Sequence, residues 1–74
     1  MFLIKSKSFT DYLNKNPETG MGYWIVTAHL KDGRVYRQVL IEGGYVTRVR
    51  GEVGVPFSEE DVDHFAITHA KWKE

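Results

Sequence analysis

The chain has 74 residues, no cysteine, ten basic and ten acidic side chains, and a hydrophobic content of 42% that includes two Trp, four Tyr and four Phe. A chain of this length makes one small domain (residues 1–74) with a stability of roughly 3–5 kcal/mol and no room for a deep substrate cleft unless a second subunit forms one wall; without cysteine, disulfides and thiolate metal sites are excluded. The formal charge of zero hides an uneven distribution: residues 21–50 carry Lys31, Arg34, Arg37, Arg48 and Arg50 against Asp32 and Glu42, whereas residues 51–74 carry six carboxylates against Lys71 and Lys73.

Met1–Ser6 opens with four apolar residues, enough for a short edge strand. That run is too brief to read as a signal peptide, with Lys5 directly after it, and no stretch approaches the ~18 apolar residues of a membrane span, so a cytoplasmic protein without membrane contact is expected. Ser8 reads as a helix N-cap with Asp11 three residues on. Phe9, Tyr12 and Leu13 share one face of the short helix that follows, and Asn16-Pro17 stops it because the residue before proline disfavours the helical region. Asn16-Pro17-Glu18-Thr19-Gly20 looks like a cell-wall sorting signal, but such a signal needs an apolar segment and a basic tail after it. Here a strand follows, so the motif reads as a helix stop and loop. Residues 1–21 are therefore an N-terminal helix and loop extension.

Tyr23–Arg50 is the organising stretch, three antiparallel strands joined at Asp32-Gly33 and Gly43-Gly44. A two-residue type I′ turn at Asp32-Gly33 pairs Leu30 with Val35, Ala28 with Arg37, Val26 with Val39 and Trp24 with Ile41. The core face is then Trp24, Val26, Ala28, Leu30, Val35, Val39 and Ile41, interrupted by Arg37. A two-residue turn at Gly43-Gly44 would put Val46, Arg48 and Arg50 on the same face, and burying two arginines there is costly. The expectation is a three-residue loop with a bulge at Gly43-Gly44, which turns Tyr45, Thr47 and Val49 inward and Arg48 and Arg50 outward.

After the glycine-punctuated Gly51–Val55 and Pro56, Ser58 is a helix N-cap with Glu59, Glu60 and Asp61 in the first turn. Two continuations are open. Helical periodicity over 58–73 would cover the meander with a C-terminal helix, an α+β alternative. A single turn near 58–63 followed by a strand over 65–72 places β-branched Ile67 and Thr68 in extended structure and gives the meander a further strand, which the open edges favour. The order strand, Asp-Gly turn, strand, glycine turn, strand, one helical turn, strand over residues 22–72 resembles SH3-like and Sm-like small barrels. The resemblance lies in element order and implies a fold without a function. The fold expected is mainly β, a small SH3-like, partly open barrel on a three-stranded antiparallel meander, with a short N-terminal helix.

No catalytic constellation emerges. Ser6, Ser8 and Ser58 fit caps and loops, no Gly-x-Ser-x-Gly is present, and Gly20-Met21-Gly22 precedes a strand rather than a helix. His64 and His69, five apart, share one face of neither a helix nor a strand, so with His29 they read as surface or partly buried histidines rather than metal ligands. No metal or cofactor is expected. The surface of interest is the outer face of the meander: Ile25, Thr27, His29, Arg34, Tyr36, Gln38, Arg48 and Arg50, with Tyr23 near one end. Arg34, Tyr36, Gln38, Arg48 and Arg50 are the candidate partner-binding residues. The sequence supports a non-enzymatic interaction module that binds a protein partner or forms a homodimer through an exposed strand edge. The alternative is a nucleic-acid-binding barrel, with guanidinium groups on phosphates and rings stacked on bases. The solvated alternative pairs the arginines with the acidic 59–63 segment.

Overall fold

The computed structural model describes residues 1–68. Five strands, β1 (Phe2–Leu3), β2 (Tyr23–Leu30), β3 (Val35–Glu42), β4 (Tyr45–Val49) and β5 (Val62–Ile67), form one antiparallel sheet in the order β1-β4-β3-β2-β5, curled into a half-barrel. Helix α1 (Lys7–Asn14) and a single 3-10 turn at Glu59–Asp61 complete it. The mainly β fold, the meander, the short N-terminal helix and the single turn before a last strand are those expected from the sequence. The C-terminal helix over 58–73 is not formed, because Val62–Ile67 is extended against β2. The part of the expected strand beyond Thr68, with His69 and Trp72, lies outside the described residues.

The concave side is the core. Val26, Ala28 and Leu30 of β2 meet Val39 and Ile41 of β3, Val46 and Val49 of β4, and Val62 and Phe65 of β5, all buried. Leu13 of α1 and Ile4 are buried in the same cluster. Phe9 of α1 sets its ring edge-on to Phe65 at 5.0 Å, and Phe57 does the same to Phe2 at 6.0 Å. The helix is capped by Ser6, whose hydroxyl accepts from the Phe9 N–H at 3.4 Å, and not by Ser8, whose hydroxyl lies 2.9 Å from that of Ser6.

Both turns depart from expectation, and in opposite senses. At Asp32-Gly33 the Leu30 N–H donates to the Arg34 carbonyl at 2.9 Å, so the loop has three residues, with Gly33 (φ 95°) at the left-handed position. At Gly43-Gly44 the loop has two, because Glu42 pairs directly with Tyr45. Both glycines there are left-handed (φ 59° and 83°), as a type I′ turn requires.

The faces are instead set by bulges inside the strands. On β3, Arg37 and Gln38 together oppose Thr27, which restores the Val26–Val39 pairing after the three-residue loop. The sequence puts Arg37 and Val35 on the core face. The three-residue loop and the bulge together correct this: Arg37 is exposed, Val35 sits opposite His29 and is 42% exposed, and Tyr36 turns inward opposite Ala28. On β4, Thr47 is the extra residue between the Ile41–Val46 and Leu40–Arg48 pairs, and its hydroxyl donates to the Leu40 carbonyl at 3.3 Å. Arg48 and Arg50 face out, the outcome expected from charge burial, but through a bulge three residues past Gly44, and Val46 rather than Tyr45 or Thr47 reaches the core with Val49. Tyr45 is consequently exposed, not inward. On β5, Asp63 is the extra residue between the Leu30–Val62 and His29–His64 pairs.

A carboxylate ties the turn before β5 to the segment after β1. Glu59 Oε2 accepts from the backbone N–H groups of both Lys5 and Ser6 at 2.9 Å, at the start of α1. Glu59→Ala removes both acceptors, and a loss of about 1.5 kcal/mol is expected in urea unfolding, with Glu59→Gln losing less. The bulge on β4 gives a sharper test. Deleting Thr47 leaves Val46, Arg48 and Val49 in strict alternation, so the shortened chain is expected to keep a dispersed amide NMR spectrum. Deleting Leu40 drives Val39 or Ile41 out of the core, and that chain is expected to unfold.

Candidate functional site

The convex face is laid out in rows across the sheet. Pairing places Tyr23, Glu42, Tyr45 and Leu3 in one row, with Ile25, Leu40 and Arg48 in the next. Gln38 and Arg50 follow, joined by the Arg50 N–H donating to the Gln38 carbonyl at 2.9 Å. Three of the five residues singled out from the sequence, Gln38, Arg48 and Arg50, are thus brought together. Two are not. Tyr36 lies on the concave side, its ring 5.4 Å from that of Phe57. Arg34 sits at the β2–β3 turn, where its Nε is 2.8 Å from Asp32 Oδ2.

The middle of this face is closed. Ile25 and Thr27 are buried although alternation points them outward. Their strand is held at its margin by the loop before it: Thr19 Oγ1 accepts from the Ile25 N–H at 2.9 Å, and the Asn16 carbonyl accepts from Trp24 Nε1 at 3.3 Å. A side chain at Gly20 would collide with the Tyr23 ring. The motif resembling a sorting signal is therefore a clamp on the start of β2.

The apolar part of the face escaped the sequence reading. Leu3 and Tyr45 are direct cross-strand partners on β1 and β4, 43% and 41% exposed, next to the Leu40–Arg48 pair. The signal was present in the two-residue Gly43-Gly44 turn, which turns Tyr45 out when it turns Val46 in.

A second constellation also escaped it. His29 and His64 are cross-strand partners with parallel rings, centroids 4.3 Å apart and planes within 9°. Asp63 Oδ2 lies 2.7 Å from His64 Nδ1. Spacing within one strand could not reveal this pair, because its members are far apart in the chain and meet only through the β2–β5 register.

Open clefts flank the sheet, and two of them are of similar size. One, of about 460 Å3, is lined by Ile4, Leu13, Trp24, Ile41 and the Gly43-Gly44 turn, with Glu18 as its one ionisable side chain. The other, of about 470 Å3, runs between α1 and β5 beside Phe9, Tyr12 and Phe65.

The acidic segment is used locally. Asp61 Oδ2 accepts from the Ser58 N–H at 2.9 Å and from its hydroxyl at 3.1 Å, which holds the Asp61 carboxyl below the ordinary carboxylate range. The Arg34 backbone N–H and then its guanidinium lower Asp32 likewise. The arginine pairing expected with residues 59–63 is thus taken up at Arg34 by Asp32. No family model, curated protein or solved structure matches the chain. No helix of the described residues is long and apolar enough to cross a membrane.

These two carboxylates give the stability an acid limb. Their folded-state affinity for protons is below that of the unfolded chain, so their contribution is complete above the ordinary value of 3.8 and is lost as pH falls below it. Unfolding free energy measured between pH 6 and pH 2 is expected to fall with a shallower slope below about pH 4 in Asp61→Asn than in the wild type.

Proposed function

We propose that the chain is a soluble, cytoplasmic, non-enzymatic interaction module of small SH3-like barrel form. On this reading it engages a protein partner, or a second copy of itself, through the Leu3, Tyr45, Arg48 and Arg50 side of its convex face. The observation that carries the proposal is the exposed Leu3–Tyr45 pair adjoining Leu40 and Arg48. Tyrosine and arginine around exposed apolar area are the composition enriched in the cores of protein interfaces. The serines support a role without nucleophilic chemistry: Ser6 caps α1 and Ser58 is held to Asp61.

Nucleic acid is the second reading, favoured by Arg48 and Arg50 lying on one face. It is weakened by Tyr36, the intended stacking ring, which packs against Phe57 on the concave side. A base would have to stack on Tyr45 instead.

The test compares wild type with Tyr45→Ala/Arg48→Ala in sedimentation across a wide concentration range and in affinity capture. Concentration-dependent self-association, or a captured protein that the variant no longer retains, is the expected outcome. Equal behaviour of the two chains would sink the reading. Salt-dependent binding of single-stranded DNA or RNA at about 50 mM salt, weakened in Arg48→Ala/Arg50→Ala, would replace it with the second.

A further inference from the structure

We propose that His29 and His64 form a binding site for a divalent transition-metal ion of the imidazole-preferring class, such as Zn2+ or Cu2+, with Asp63 as the residue that positions His64.

The site is built by the bulge on β5. Sequence neighbours in a regular strand point to opposite faces, so an aspartate cannot ordinarily reach the histidine next to it along the same side. Because Asp63 is the extra residue of the bulge, its carboxylate comes to 2.7 Å from His64 Nδ1. The same bulge sets His64 opposite His29 instead of opposite Ala28. With Asp63 ionised, the proton of His64 belongs on Nδ1, and the lone pair of Nε2 is left for a ligand. This is the carboxylate–histidine arrangement that orients metal-ligating imidazoles and raises their basicity.

The second imidazole lies directly across the strand pair. The His29 ring stacks on that of His64 with centroids 4.3 Å apart, and among the described residues no hydrogen bond engages a His29 nitrogen. Two nitrogens that share a metal at about 2.0–2.1 Å each stand roughly 3 Å apart. In the stack the ring lone pairs lie in parallel planes, so sharing an ion requires the partly exposed His29 ring to turn about its side-chain bonds until one nitrogen faces Nε2 of His64, while the strand register that pairs the two residues stays as it is. Access is open, since the His64 side chain is 56% exposed. Two protein ligands leave the remaining positions to water or to a donor from a partner, and imidazole donors select Zn2+ and Cu2+ over Mg2+ and Ca2+.

The test titrates Zn2+ into the full chain at pH 7.5 with calorimetry and NMR of the histidine ring protons. Saturable one-to-one binding that perturbs His29 and His64 together is expected. His29→Phe keeps a ring in the stack but removes the ligand, and it should weaken binding by roughly tenfold or more, as should His64→Ala. Asp63→Asn should weaken it by roughly tenfold, with the amide spectrum otherwise retained. His69→Ala should leave it unchanged. The proposal is overturned if Zn2+ does not bind, if both histidine variants bind like the wild type, or if His69→Ala alone abolishes binding.

Discussion

Three strands of this half-barrel each carry an apolar pair spaced three residues apart, Tyr36 and Val39, Val46 and Val49, Val62 and Phe65. In a regular strand such a pair points to opposite faces, since the side-chain period is two. One member would be stranded in water, or the charged residue between them would be forced into the core. One extra residue between the members brings both to the concave side, and the structure supplies it every time: within Arg37-Gln38, at Thr47 and at Asp63. Bulges also increase the local twist, so the device that keeps charge out of the core suits the curl of the sheet around it.

Closure of the half-barrel follows a second economy. The sheet has two edges, and a chain this small has no helix to spare for covering both. The segment after β4 sends Phe57 into the core between Phe2 and Tyr36, while Glu59 ties the backbone at the start of α1. On the other side the Asn16–Gly20 loop grips β2. Polar groups at both margins thus bond backbone that an isolated sheet would leave to water.

The same bulges shape the surface. They remove Tyr36 from the convex face, leave Arg48 and Arg50 on it, and align Asp63, His64 and His29 into one group. What the protein offers a partner is therefore a consequence of packing its inner side. The Leu3–Tyr45 pair belongs to this account as well, because Phe2 and Val46 take the inward positions beside it.

The meander, the end of α1 before Pro17, the start of a helical turn after Ser58 and the outward direction of Arg48 and Arg50 are legible in the sequence. Each follows from a local cost: proline geometry, capping, or the burial of charge. The sequence also held the bulge signal in the spacing of three, and the argument that protected Arg48 and Arg50 applies equally to Arg37. The lengths of the two glycine turns were decided only in the folded sheet, since both Asp-Gly and Gly-Gly tolerate either length and cross-strand packing selects one. The stacked histidines, the Glu59 tie and the exposed Leu3–Tyr45 pair also required the tertiary structure. Each joins residues from distant parts of the chain, and no local preference encodes which strand comes to lie beside which.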